Sequence, residues 1–426
     1  MEKSKKVFYG WIVVAGGFVL MAVLHSMLQT CFSLFVVPVT TDMQISRSAF
    51  GICNTVIMVV TMLLSPYMGR WLAGKNTRGI FTGCVVGLGL SYASYSLAQA
   101  TWHFYVSAAL VGIFSCGAIV LPLSIIITNW FHKARGTAIS IALAGSGIGG
   151  AIISPILTHF IQTDGWRSSF VIFGIVMIVI EVPVAFLIMR PRPQEMGLAP
   201  YGSAEAGSAG ATAAAAKNTE TDLPLHELKK HAFFWMYWLG MFILGLVGFG
   251  SLGQLAASLT DSYGQGFSAM IISFFLLLLT PAKISLGWVY DKIGPKFGTV
   301  YVMGAFAVAL AMLLITNSTN LAWVMAVFYA IGICSGTVTP PVVTAATFGS
   351  KYYGEIYGFI NFAVMAGGAL GAPVVAAVYD VTGSYAGAWV SCGRQTGGHG
   401  RGSAAPGGAR RQPVCHYGNV CRQQDY

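Results

Sequence analysis

The chain reads as an all-α polytopic membrane protein: two halves of six spans each, the twelfth span missing or replaced. Three observations carry this. Of 426 residues, 55% are hydrophobic and only 9% charged, a balance foreign to a water-soluble domain of this size. Apolar runs of about 20 residues, the length that crosses a bilayer core, recur almost from end to end. The chain also repeats itself. Gly69 and Gly287, Arg78 and Lys296, Pro122 and Pro340, Gly136 and Gly354, and Pro155 and Pro373 are all 218 residues apart. Each is a turn, kink or close-contact position, where Gly and Pro have backbone reasons to be.

Taken in order, Lys3, Lys5 and Lys6 precede Tyr9-Gly10-Trp11 and a first span expected to end near Val37. No cleavable signal is evident, so that span is expected to stay. Spans at 49–69, 79–99, 104–130, 137–161 and 168–189 complete an N-terminal half, 1–189. Residues 190–231 then break the pattern. Arg190-Pro191-Arg192-Pro193 opens the segment, a Gly/Ala/Ser-rich run continues through Ala216, and polar residues from Lys217 to His231 close it. This composition predicts a flexible cytoplasmic linker. Spans resume at 232–257, 267–290, 298–317, 321–348 and 353–379, and a C-terminal half of 232–391 ends with only the start of a twelfth.

Orientation follows from lysine and arginine. With the N-terminus inside, the inner segments hold sixteen basic residues and the outer loops only Arg47 and Arg167. The net charge of +10 is therefore spread over short loops and forms no nucleic-acid stripe. Cys31, Cys53, Cys84, Cys116 and Cys334 lie singly in apolar runs, so no disulfide, metal site or cofactor is expected. A membrane enzyme would cluster catalytic groups at one depth, and a sensor would carry a soluble domain; the sequence shows neither.

The tail departs from the repeat, which puts a twelfth span at 386–407. From Cys392 to Tyr426 there is no Leu, Ile, Phe or Met, while eight Gly and five Arg occur. Each arginine at mid-membrane costs about 2.5–3.5 kcal/mol on insertion scales. The segment is not expected to span, and its abrupt onset reads as a shift of reading frame.

One stretch organises the rest. Lys283 continues the apolar run Met270 to Leu279, so a charge sits inside a span; the charged turn Gly287-x-x-x-Asp291-Lys292-x-Gly294-x-Lys296 follows. A charge within a span beside such a turn is the default marker of a transport pathway. The turn resembles the loop signature of the major facilitator superfamily, matched at every defining position. The resemblance implies two six-helix halves about an axis along the membrane normal, with the substrate between them near the midplane. The first-half counterpart holds Gly69, Arg70 and Arg78 but has Ala73 where the family carries an aspartate. In the family that acid helps lock the outward-facing state, so its loss implies a weaker lock on one side.

Within the superfamily, the oxalate/formate antiporter and monocarboxylate transporter group is the nearer resemblance. It rests on Tyr9-Gly10-Trp11, on Asp42 with Ser46-Arg47, on Trp130-Phe131-x-x-x-Arg135-Gly136, and on Asp164-Gly165-Trp166-Arg167. It covers residues 1 to about 390. In that group a basic residue on span 8 binds the substrate carboxylate, and Lys283 falls at that position. Physically, a desolvated anion needs a fixed positive partner. The alternative is a lysine snorkelling to the headgroups, but Asp291 lies about 12 Å further along the helix, a long reach. Oxalate-type members carry a second cation on span 11. Asn361 and Val364 occupy that stretch here, which favours a singly charged acid such as lactate, pyruvate, formate or acetate. Proton-coupled members use an aspartate and a lysine where this chain has Leu279 and Gln29, so the usual proton relay is absent.

Smaller expectations attach to other polar groups. His25, about 22 Å along span 1 from Gly10, binds an anion or carries a proton on one reading and ties helices on the other. Gln29 and Ser33 continue its face. Glu181 reads as a neutral, hydrogen-bonded carboxyl or a proton relay. Asn54, Asn129 and Asn361 read as interhelical hydrogen-bonding groups. The protein implied is a monomeric secondary transporter in the cytoplasmic membrane. It would carry a small organic anion, with a counter-anion or proton, by alternating access. The alternatives are an exporter of other cargo, such as a drug, or an inactive product lacking span 12.

Overall fold

The computed structural model describes residues 8–74, 76–203, 223–315 and 319–382. Nearly all of them are helical, because in lipid each backbone N–H and C=O must find its partner inside the chain. Ten helical stretches among the described residues are long and apolar enough to cross a membrane. One of them, Arg135–Ile188, has 54 residues, which would be about 80 Å of helix against a core of about 30 Å. It is broken at Gly165, whose φ of 79° and ψ of 166° belong to a region only glycine visits readily. It is therefore two spans, and the described residues hold eleven.

Spans 1 to 4 are Tyr9–Asp42, Arg47–Ala73, Thr77–Leu97 and Thr101–Trp130, and spans 5 and 6 flank Gly165. Spans 7 to 9 are Ala232–Tyr263, Gln265–Ile293 and Pro295–Ile315; spans 10 and 11 are Thr319–Phe348 and Tyr353–Thr382. Span 1 runs beyond the expected Val37 because Pro38 lies in the first turn of its closing helix, Val36–Asp42, where the missing N–H breaks no helical bond. The tail 392–426, the expected twelfth span and linker residues 204–222 lie outside the described residues.

Within each half the repeat is visible as packing. A Cβ on Gly149 of span 5 would meet the Ala22 carbonyl of span 1, and one on its mate Gly367 of span 11 would meet the Phe242 carbonyl of span 7. Small residues let these backbones touch, the usual solution where lipid supplies no hydrophobic drive. Span 4 changes course midway, at Ile119, where φ is −113° and ψ is −110°.

One face of the molecule carries Arg70, Arg78, Arg135, Lys292 and Lys296 at span ends and Lys133 and Lys351 in the turns between spans; it is the basic face below. The start of the expected linker is docked there. Trp130 Nε1 donates to the Arg190 carbonyl at 2.7 Å, Asn129 Nδ2 to the Pro191 carbonyl at 3.1 Å, and the Tyr201 N–H to the Trp130 carbonyl at 2.8 Å. The Gly/Ala/Ser content of 190–231 predicts a freely moving segment, but residues 190–203 hold Tyr201, packed on Phe131, and the buried Pro193.

Candidate substrate site

A cavity of about 1100 Å³ separates the halves. Its lining comes from spans 1, 2, 4 and 5 and from spans 7, 8, 10 and 11, which leaves spans 3, 6 and 9 as outer scaffold. His25, Gln29, Lys283 and Asn361, named from sequence, all line it.

Lys283 projects from span 8 and is 5% exposed. Its Nζ donates to Ser146 Oγ at 2.6 Å and to the Leu143 carbonyl at 3.3 Å, both on span 5. Among the described residues no carboxylate forms an ion pair with it. A buried ammonium with neutral acceptors only is an incomplete arrangement, because desolvation of a charge is offset fully only by an opposite charge. The snorkelling alternative is not what the geometry shows: the side chain reaches across to span 5.

His25 lies on a π-helical stretch, Met21–Thr30, a distortion frequent at functional sites. Its Nδ1 is shut off from water and has no partner among the described residues. Gln29 lies on the same stretch and is exposed. Asn361 is buried and donates Nδ2 to Ser65 Oγ at 2.9 Å, so it ties span 11 to span 2 while forming wall. Much of the remaining wall is apolar, including Ile57, Met58, Ile148, Phe249, Leu276 and Met365.

Other expectations fall elsewhere. Ser33 donates to the Thr30 carbonyl at 2.9 Å and, like Asn54, is not part of the lining. Asn129 anchors the linker and, among the described residues, makes no interhelical bond. Glu181 is fully buried, away from the cavity, and among the described residues neither carboxyl oxygen has a partner for the expected hydrogen bond.

Below the cavity the basic face is closed by two pseudo-equivalent joints. Where spans 5 and 8 cross, a Cβ on Gly287 would lie 2.5 Å from the Gly136 carbonyl oxygen, and one on Gly136 2.8 Å from that of Gly287. Asp291 accepts from Gly136 N at 2.8 Å, Thr137 N at 2.6 Å and Thr137 Oγ1 at 2.6 Å. It thus caps span 5, whose first N–H groups have no helical acceptor. Where spans 2 and 11 cross, a Cβ on Gly354 would lie 2.8 Å from the Gly69 carbonyl oxygen and 3.1 Å from the Ala73 Cβ. Ala73 occupies the place of Asp291 and caps nothing. Instead Arg70 Nε donates to Glu355 Oε1 at 3.0 Å, so the acid of this joint stands on span 11. The joint has a lock, although an exposed ion pair is worth only about 0–1 kcal/mol.

The remaining motif residues hold the turns. Arg135 donates to the Phe131 carbonyl at 2.9 Å and to the Ala345 carbonyl at 3.3 Å. Arg78 bonds the Phe186 carbonyl and lies over that ring, 4.1 Å away. Lys292 lies 5.3 Å from the Trp288 ring, Gly294 takes a φ of 89°, and Lys296 is exposed. Tyr9 and Trp11 pack on Trp130 and Phe131 with centroids 5.4 and 5.1 Å apart. On the opposite face Asp42 accepts from Arg167 Nη1 at 2.7 Å and Trp166 Nε1 at 3.0 Å.

A model of the Major Facilitator Superfamily matches residues 18–372, most of the chain. The chain belongs to the major facilitator superfamily. It is thus a multi-pass membrane transporter. It is similar to monocarboxylate transporter 12 of Rattus norvegicus, 25% identical over 412 residues that cover 90% of this chain and 82% of the relative. It is also similar to the oxalate:formate antiporter of Oxalobacter formigenes, 24% identical over 369 residues, 84% of this chain and 83% of that one. Among solved structures, the proton:xylose symporter XylE superposes with a TM-score of 0.71 at 14% identity, covering 92% of this chain and 94% of that chain. That likeness concerns the superfamily fold.

Sequence reasoning missed Ser146, Ser65, Thr137 and Glu355. Thr137 and Glu355 had a signal, being 218 residues apart beside Gly136 and Gly354. Ser146 and Ser65 are small residues in apolar spans and had none.

Proposed function

We propose that the chain is a secondary active transporter that moves a small monocarboxylate, or a related organic anion, by alternating access, with Lys283 holding the carboxylate. The observation that carries this reading is the buried Lys283 ammonium on the cavity wall, with only the neutral oxygens of Ser146 and Leu143 as partners. Cargo supplies the missing negative charge. Asn361 stands on span 11 where a second cation would be needed for a dicarboxylate, so one charge suffices. The relatives named for monocarboxylates and for oxalate and formate support an organic anion.

His25 and Gln29 lie on the same wall and meet the rest of the cargo. The apolar part of the lining favours an acid with a hydrocarbon body over a polyol, whose hydroxyls would lose water without replacement. Leu279 and Gln29 leave the usual proton relay absent, which favours exchange against a second anion. By the excess of lysine and arginine the basic face is the cytoplasmic one. With that face closed, the cavity belongs to an outward-facing state of a monomer in the cytoplasmic membrane.

A competition panel tests the reading. In proteoliposomes containing the purified protein, acetate, lactate, pyruvate and hexanoate should compete for uptake, and oxalate and xylose should not. Preference for oxalate over every monocarboxylate would overturn it.

A further inference from the structure

The two bonds of Lys283 join the two halves of the transporter, and their position is specific. Along the crossing of spans 5 and 8, contacts climb from the basic face: Asp291 on Gly136 and Thr137, then Gly287 against Gly136, then Lys283 on Leu143 and Ser146. Thr280 Oγ1 donates to the Ala144 carbonyl at 3.3 Å above them. The seam closes the floor of the cavity, and among the described residues Lys283 is its only charged member at cavity level.

Ser146 is held ready to receive that charge. Its hydroxyl donates to the Leu143 carbonyl at 3.0 Å, which turns the oxygen lone pairs toward Lys283, and its own carbonyl accepts from Ser26 Oγ at 2.8 Å. Spans 1, 5 and 8 therefore meet at one serine. The hydroxyl and the Leu143 carbonyl offer Lys283 two oxygens on one side, as a carboxylate would.

We propose that Ser146, with the Leu143 carbonyl, stands in for the cargo carboxylate in the empty transporter, and that cargo takes Lys283 from them. The exchange is favourable because an ammonium binds a carboxylate more strongly than it binds neutral oxygens. Its consequence is mechanical. The ammonium turns from span 5 to the cargo, the seam loses its strongest tie at cavity level, and the basic face opens more readily. Binding and release of the gate are then one event, and Ser146 is a positioning residue that sets affinity against gate stability. The inference rests on the reading that Lys283 holds the carboxylate.

Cargo binding to full-length protein in nanodiscs, with a mixture of acetate, lactate and pyruvate as probe, tests it alongside gate opening. Gate opening is read as thiol labelling of Ser140→Cys, a buried seam position, scored against the same protein without the added cysteine. The probe should raise labelling in the otherwise native protein. Ser146→Ala should bind the probe about tenfold tighter, equivalent to about 1.4 kcal/mol, and label without probe. Ser146→Thr should restore native behaviour, and Ser146→Asp, an internal counter-ion, should abolish binding. If Lys283→Gln abolishes binding while Ser146→Ala leaves affinity and labelling at native values, the stand-in role fails and the carboxylate role of Lys283 survives. If the probe binds Lys283→Gln as well as the native protein, or binds neither, the underlying reading fails too. Should Ser146→Ala not fold, probe-independent labelling of Ser140→Cys in the native background refutes the proposal by itself.

Discussion

Asp291→Asn should unlock the basic face. The native carboxylate accepts two backbone N–H groups and one hydroxyl at the start of span 5, all at 2.6–2.8 Å. Those N–H groups have no helical acceptor, and the helix terminus carries partial positive charge. Asparagine keeps one oxygen but loses the charge and the second acceptor. Charge-assisted bonds at a helix N-terminus are worth about 1–3 kcal/mol, and Asp291 is exposed, so we take about 1–2 kcal/mol after screening. The equilibrium between closed and open basic face should then shift about 5- to 30-fold. Spin labels at the exposed positions His132 and Lys296, one on each side of the joint, read this as a second, longer distance population. An unchanged distance distribution in Asp291→Asn would refute the claim that this cap holds the gate.

The other joint should matter less. Glu355→Gln removes an ion pair whose side chains are 56% and 26% exposed, worth under about 1 kcal/mol, so its transport rate should change less than that of Asp291→Asn; a larger loss would reverse the ranking. Gly287→Val places methyl groups against the Gly136 carbonyl and Ser140, and transport should fall to background in an inserted protein; a native rate would show that the close approach is not used. Glu181→Gln keeps the shape of a buried carboxyl with no partner among the described residues, so thermal stability should hold or rise; a Tm lower by several degrees would mean that the acid has a structural role.

What was legible in the sequence follows from range. Eleven spans could be read because each carries its own apolar run, and Lys283 stood out because charge inside such a run is costly. The Gly287–Lys296 turn was equally local. Partners distant in sequence were not legible: Asn361 meets Ser65 across 296 residues, and Lys283 meets Ser146 across 137. The Ala73 substitution pointed to a weak joint, yet Glu355 on the facing helix supplies an acid that no single-loop reading could pair with Arg70. His25 and Gln29 were expected on one face, but the π-helical stretch that presents them has no composition signature. The docking of residues 190–203 was hidden behind the linker-like sequence that follows.

The role of Lys283 is tested most directly by equilibrium binding of radiolabelled lactate and pyruvate to purified native protein, Lys283→Arg and Lys283→Gln, each first shown to be inserted and folded. Removing one member of a buried ion pair costs about 3–5 kcal/mol. Lys283→Gln should therefore bind more than about a hundredfold more weakly, while Lys283→Arg, which keeps the charge, should retain part of the affinity. Native affinity in Lys283→Gln would place the carboxylate elsewhere and contradict the account.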